Sequence, residues 1–206
     1  MNPNDLKGRL VRIYAAFGDV AALSPEEQLH SAAAVGDSLQ VWFDWSGGRS
    51  EDQLKKDAYA VINEVMGIRD RAKKWMKHKG KQRDAVDELI KNDRHLSLLH
   101  DLANYDKHGS HGRETFSGLQ PEIINVHGAV TAKRDPVTGK YATAGHVTTK
   151  LDLTTGEATP DESEGTEVVI TGDVVDGSGN RIELLNDLLF WAILKWEQFL
   201  TAEGAL

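Results

Sequence analysis

Six polar side chains of unlike chemistry recur at helical spacing between positions 94 and 108: Arg94, His100, Asp101, Asn104, Lys107 and His108. At about 100° per residue they share a sector of roughly 140° on one helix. Leu96, Leu98, Leu99, Leu102 and Ala103 fill the opposite side. An imidazole exchanges protons near neutral pH, and a neighbouring guanidinium or ammonium holds a phosphate and its developing charge. The set suits phosphodiester cleavage without a metal. In that role His100 and His108 are the general acid or base, Arg94 and Lys107 bind phosphate, and Asn104 orients the site. The opposing reading makes the face structural: Asn104 and His108 tie the helix to the segment that follows, and Arg94 pairs with Asp101.

A second group is basic. Arg69, Arg71, Lys73, Lys74, Lys77, Lys79, Lys81 and Arg83 put eight cations in one stretch. Lys73, Lys74, Lys77, Lys79, Lys81 and Arg83 are the candidate contacts to a nucleic acid, whose phosphates attract such a cluster. The plainer alternative is an exposed helix end whose cations favour the C-terminal dipole. Trp75 reads as core, because Ala72, Trp75 and Met76 recur at helical spacing, rather than as a platform for a base. Between Leu151 and Asn180 there are eight acidic residues and no basic one, so attraction between the two regions across a homodimer competes for the same cations.

Other chemistries find little support. His108-Gly109-Ser110-His111-Gly112 spaces two imidazoles without a third defined ligand, and no metal site is expected. Asp84, Asp87 and Glu88 read as solvated carboxylates. There is no Gly-rich phosphate loop, serine nucleophile elbow or dinucleotide fingerprint, and no cofactor is expected.

The elements that must position these residues follow from caps and periodicity. Asn4 or Asp5 caps a first helix carrying Leu6, Leu10, Ile13, Tyr14 and Phe17 to Gly18. Ser24-Pro25-Glu26-Glu27 opens a second, with Leu29, Ala32, Ala33, Leu39, Trp42, Phe43 and Trp45 at helical spacing up to Gly47-Gly48. Ser50-Glu51-Asp52-Gln53 opens a third, running toward Gly80. A fourth starts near Gln82 and pauses at Asn92-Asp93, and Asp93 caps the segment that ends at His108 with Gly109 as a left-handed C-cap. Beyond Gly109, Thr and β-branched residues with turn signals predict strands near Ile123 to Lys133, Lys140 to Leu153 and Glu167 to Val175. Asp135-Pro136-Val137-Thr138-Gly139 and an acidic loop around Thr159 to Gly165 separate them. Asp176-Gly177-Ser178-Gly179-Asn180 turns into a last helix, Arg181 to about Glu203, apolar on more than one face and therefore central. The expected fold class is mainly α: a bundle of about five helices with an antiparallel β meander, at about 120 to 176, inserted before the last helix.

Composition bounds the rest. With 206 residues, of which 40% are apolar, the chain can bury a substantial core. Absence of cysteine excludes disulfides, thiolate metal sites and a cysteine nucleophile, and fits a reducing compartment. No apolar run approaches the roughly 18 residues that cross a bilayer, and the first residues carry no signal pattern, so the expectation is a cytoplasmic protein without membrane partners. A net charge of -8 argues against a protein coated in nucleic acid, which makes the local basic stretch the more telling feature.

Asn104-Tyr105-Asp106-Lys107-His108-Gly109 resembles the motif of the HEPN superfamily, helical-bundle proteins in which an Arg, a polar residue, three further residues and a His end a helix, often before Gly. Arg94, His95 and His100 give a second alignment to the same pattern, with five residues between the polar residue and the His. Asp101-Leu102-Ala103-Asn104 followed by Lys107-His108, before a meander and a Trp-containing last helix, is similar to uncharacterised bacterial proteins of HEPN-like shape. The resemblance implies one HEPN-like helical domain over residues 1 to 206. It also implies a metal-independent, commonly dimeric endoribonuclease of a toxin or antiviral system, acting through Arg94 and His100 or through Asn104 and His108. Ala103, however, stands where the family Arg precedes Asn104, and alanine binds no phosphate. The expectation is therefore a non-catalytic binding or regulatory module for a protein or for a nucleotide or RNA partner, with the ribonuclease as the alternative.

Overall fold

A computed structural model of the protein describes residues 6, 8–10, 13, 29–35, 38–44, 49–109, 115–132, 148–151, 158–161 and 166–206. The chain is mainly helical, with an antiparallel sheet formed before the final helix. The helices are α1 (Glu51–Met66), α2 (Ile68–His78), α3 (Asp84–Asn92), α4 (Arg94–His108) and α5 (Leu185–Ala202). Leu6, residues 8–10 and Ile13 are helical too, and Leu6, Leu10 and Ile13 are buried as their spacing requires. The remainder of that first expected helix, including its caps and Gly18, lies outside the described residues.

Local chemistry sets the helix ends. The Ser50 hydroxyl accepts the Gln53 N–H at 3.3 Å and starts α1. Asp93 accepts the N–H groups of His95 and Leu96, each at 3.0 Å, and starts α4. Gly109 closes α4 in the left-handed region, φ 64°, its N–H on the Tyr105 carbonyl at 2.8 Å. The expected helix from Ser50 to Gly80 is in fact two. The two helices are separated at Gly67, and the Arg9 guanidinium, bonded to the Glu64 carbonyl at 2.9 Å, occupies the place where a Gly67 side chain would stand.

Three further expectations are corrected. Residues read as a helix through Leu29 and Phe43 form a hairpin of β1 (Leu29–Val35) and β2 (Ser38–Asp44), with Val35 opposite Ser38. A helix through this segment would contain Gly36, and glycine inside a helix costs about 1 kcal/mol relative to alanine. Val41, Trp42 and Phe43 also prefer strands. Ser24-Pro25 and Trp45 to Gly48 lie outside the described residues. The last helix starts at Leu185, not Arg181, because β7 (Arg181–Leu184) pairs with β6 (Thr166–Val175). Finally, the expected acidic loop begins as a short strand: β4 (Thr148–Leu151) pairs antiparallel with β5 (Ala158–Asp161). The turn at 135–139, the remainder of the Lys140 to Leu153 strand and residues 162–165 lie outside the described residues.

The main sheet has the order β3-β6-β7, with β3 spanning Glu122–Ala132 and antiparallel pairing throughout. Between Ile124 and His127 the β3 register shifts in a bulge, with Asn125 at φ 54° and its amide donating to Asp173 at 2.9 Å. Gly172 faces this bulge, where a Cβ would stand 2.9 Å from the Ile124 carbonyl oxygen.

Leu98, Leu99 and Leu102 of α4 share one buried core with Trp75, Ile123, Val174 and the α5 residues Leu188, Leu189, Ala192, Ile193 and Trp196. α5 packs against α1, α4 and β6, the central position that its broad apolar surface requires. The sheet is fixed to the helices by Thr171 donating to Asn186 at 2.8 Å, by the Lys55 and Glu122 ion pair at 3.3 Å, and by the Val126 N–H on Glu51 at 3.4 Å. No helix of the described residues is long and apolar enough to cross a membrane.

Candidate functional site

The polar face of α4 divides into three parts. At its centre Asp101 is buried, and its carboxylate accepts three bonds from the segment after the helix: Phe116 N–H at 2.9 Å, Ser117 N–H at 2.8 Å and the Ser117 hydroxyl at 2.6 Å. Nδ1 of His100 lies 3.3 Å from the same carboxylate. Burial raises the Asp101 pKa, but these donors from His100, Ser117 and Phe116 outweigh it and hold the carboxyl below its ordinary value. His100 stacks on Phe116 with ring centroids 4.0 Å apart, and Asn104 sets its amide nitrogen 3.3 and 3.4 Å from the two ring nitrogens. The Lys91 ammonium sits over the other ring partner, 5.6 Å from the Phe116 centroid. An imidazole oriented by a carboxylate is a recurring arrangement for proton transfer. Here that imidazole has a side chain only 12% exposed, enclosed by Phe116 and Asn104.

Arg94 lies at the start of α4, bonded to the Ile182 carbonyl of β7 at 3.3 Å, and does not pair with Asp101. Lys107 and His108 are exposed at the other end. Arg94 and His108 are therefore about 21 Å apart along the axis, given the ordinary helical rise. The expected set is not gathered within one chain: His100 and Asn104 meet, while Arg94, Lys107 and His108 stand apart from them. His111, the second imidazole of the metal reading, lies outside the described residues, and the described residues hold no group of three or more His, Asp or Glu able to ligate a metal.

Sequence reasoning passed over the neighbours of this face. Asn63 donates from one amide nitrogen to the Tyr59 carbonyl at 2.9 Å and to Asp106 at 2.8 Å. The Tyr59 hydroxyl is buried and has no hydrogen-bond partner among the described residues. Burial first, then the nearby Tyr105, Glu122 and Asp106, push its pKa well above the ordinary tyrosine value. At the opposite end His95 lies 3.5 Å from Glu183 and stacks at 6.2 Å on Trp191. Tyr59 and Asn63 share a helical stripe with Lys55, a signal visible in the sequence; Glu183 and Trp191, which flank the His95 ring, come from β7 and α5 and leave no local signal.

The basic stretch is sorted by its partners. Arg69 and Lys73 converge on Asp87, Arg69 at 2.8 Å, and hold its carboxyl below the ordinary value against the opposing effect of burial. Lys81 donates to the Glu203 carboxylate at 2.8 Å and to its carbonyl, and lies 5.4 Å from the Trp75 ring centroid. Trp75 is 2% exposed and Met76 equally so, which places both in the core. Lys74, Lys77, Lys79 and Arg83 are exposed, and among the described residues they make no ion pair or side-chain hydrogen bond. They occupy the last turns of α2 and the turn into α3, where Gly80 adopts φ 68°.

Fold and site define a mainly helical protein with an antiparallel sheet before its last helix and a basic surface at one helix end. No family model, curated protein or solved structure matches the chain.

Proposed function

We propose that this chain is a non-catalytic, HEPN-like helical module that binds RNA through Lys74, Lys77, Lys79 and Arg83. The observation that carries the reading is the sorting of cations: Arg69, Lys73 and Lys81 are engaged by Asp87 and Glu203, and the exposed four are left to a ligand. A patch of unpaired cations on a chain of net charge -8 is a local feature, and a polyanion is its natural complement. The absence of catalysis is supported by Ala103, which is buried in the core, and by the use of Asp101 and His100 to hold Phe116 and Ser117.

The reading is tested by fluorescence anisotropy with a labelled single-stranded RNA and a variant carrying Glu at positions 74, 77, 79 and 83. The expected result is a loss of at least about tenfold in affinity, with the helical circular dichroism retained. Equal binding by parent and variant would remove the proposed surface. Binding by neither would overturn the RNA reading.

The His100 and Asp101 contact at 3.3 Å favours a second reading, a metal-independent endoribonuclease of a toxin or antiviral system.

A further inference from the structure

We infer that the surface of Lys74, Lys77, Lys79 and Arg83 reads the phosphate backbone of RNA and not its bases, an inference that rests on the RNA-binding reading above. Base recognition without a duplex groove relies on flat side chains that stack and on amides that pair with base edges. The one aromatic ring of the stretch other than histidine, Trp75, is 2% exposed and has the Lys81 ammonium at 5.4 Å from its centroid, so no base can lie on it. What is exposed is cationic at 74, 77, 79 and 83, and besides the Arg83 guanidinium the flat side chains that this stretch exposes are His78 and Gln82.

Position within the fold sharpens this. Lys74 and Lys77 stand in the last turns of α2 and Lys79 at its C-cap, where the backbone presents carbonyls and not the N–H groups that hold anions, while Arg83 is the N-cap residue of α3. At the three lysines attraction for a phosphate comes from ammonium groups reaching outward, a point-charge interaction with little geometric selectivity, and Arg83 adds a guanidinium able to grip a phosphate through two N–H groups. Lys74 and Lys77, three apart on the helix, have Cβ atoms about 5–6 Å from one another, so they can engage neighbouring phosphates together. Lys81 acts as a positioning residue: its bonds to the Glu203 carboxylate and carbonyl hold the turn that carries Lys79 and Arg83 against the end of α5.

The test uses the intact protein and labelled oligo(U), oligo(A) and mixed-sequence RNAs of equal length, titrated between about 50 and 200 mM salt. Expected are affinities within about threefold across sequences and a log–log salt slope of about -3, the value for four neutralised phosphates on a single strand. Inorganic polyphosphate displaces the RNA, a His78→Ala/Gln82→Ala variant binds as the parent does, and Lys74→Ala/Lys77→Ala lowers the slope by about 1 to 2. A preference above about tenfold for one sequence, failure of polyphosphate to compete, or loss of binding in the His78/Gln82 variant overturns the backbone-only inference while leaving RNA binding in place. No binding of any RNA at the lowest salt overturns the RNA-binding reading itself.

Discussion

Asp101 and Ser117 are joined twice through one oxygen: the Ser117 N–H reaches Asp101 Oδ2 at 2.8 Å and the Ser117 hydroxyl reaches it at 2.6 Å. With Phe116 N–H on the other oxygen, a carboxylate on the polar face of α4 becomes the anchor for the segment leading into the sheet. Asp101→Asn leaves one acceptor oxygen for the three donors of that segment and for His100. A loss of about 2–4 kcal/mol in urea unfolding at neutral pH is expected, and a loss below about 0.5 kcal/mol would contradict the anchor.

The same carboxyl gives a pH signature. Its folded-state pKa is depressed, so its contribution is fully present above the unfolded value of about 3.9 and disappears as pH falls through the folded value. The stability difference between parent and Asp101→Asn should be constant from about pH 7 to 5 and shrink below about pH 4. A difference that stays constant to pH 2 would mean that another group carries the effect.

His100→Ala removes the ring stacked on Phe116 and the donor to Asp101. About 1–2 kcal/mol of stability should be lost, with RNA affinity unchanged, because His100 lies apart from the basic surface. Unchanged stability together with altered handling of RNA would assign His100 to chemistry instead.

For Tyr59→Phe the expected sign is the reverse. The hydroxyl is buried without a partner among the described residues, so its removal leaves no orphan and should keep stability unchanged or raise it by up to about 1 kcal/mol. Thermal denaturation with a clear loss would reveal a hydrogen bond to the hydroxyl.

Gly172→Ala tests the bulge in the sheet. A Cβ there stands 2.9 Å from the Ile124 carbonyl oxygen, so the strands must separate locally, at a cost of about 1–3 kcal/mol. Hydrogen exchange should quicken at Ile124 and Val126 first; an unchanged exchange pattern would contradict the close approach.

What the sequence disclosed is mostly what a few consecutive residues decide. Asp93 and Gly109 cap α4 as expected, since a cap depends on residues within one turn. The hairpin of β1 and β2 was misread because Leu39, Trp42 and Phe43 fit a helical stripe as well as a strand, and only pairing between Leu29 and Asp44 decides. Arg181–Leu184 likewise extends the apolar period of α5, and its strand exists because Val174 lies opposite Glu183. At the candidate site, burial of Trp75 was legible from spacing. The sorting of the cations was not: Asp87 lies 14 residues from Lys73, and Glu203 lies 122 from Lys81. Local rules do not reach such partners. The converging face on α4 misled for the same reason, because Asp101 is consumed by residues 15 and 16 positions further on.

Binding without cutting is the central claim, and one gel experiment addresses both halves. End-labelled RNA is incubated in chelator with the parent protein, with the variant bearing Glu at 74, 77, 79 and 83, and with His100→Ala/His108→Ala, and each sample is run on native and denaturing gels. The expected result is RNA retarded by the parent and by the His variant, not by the charge-reversed one, and full-length in every lane after denaturation. RNA shortened by the parent and left intact by the His100→Ala/His108→Ala variant would contradict the claim and establish the ribonuclease.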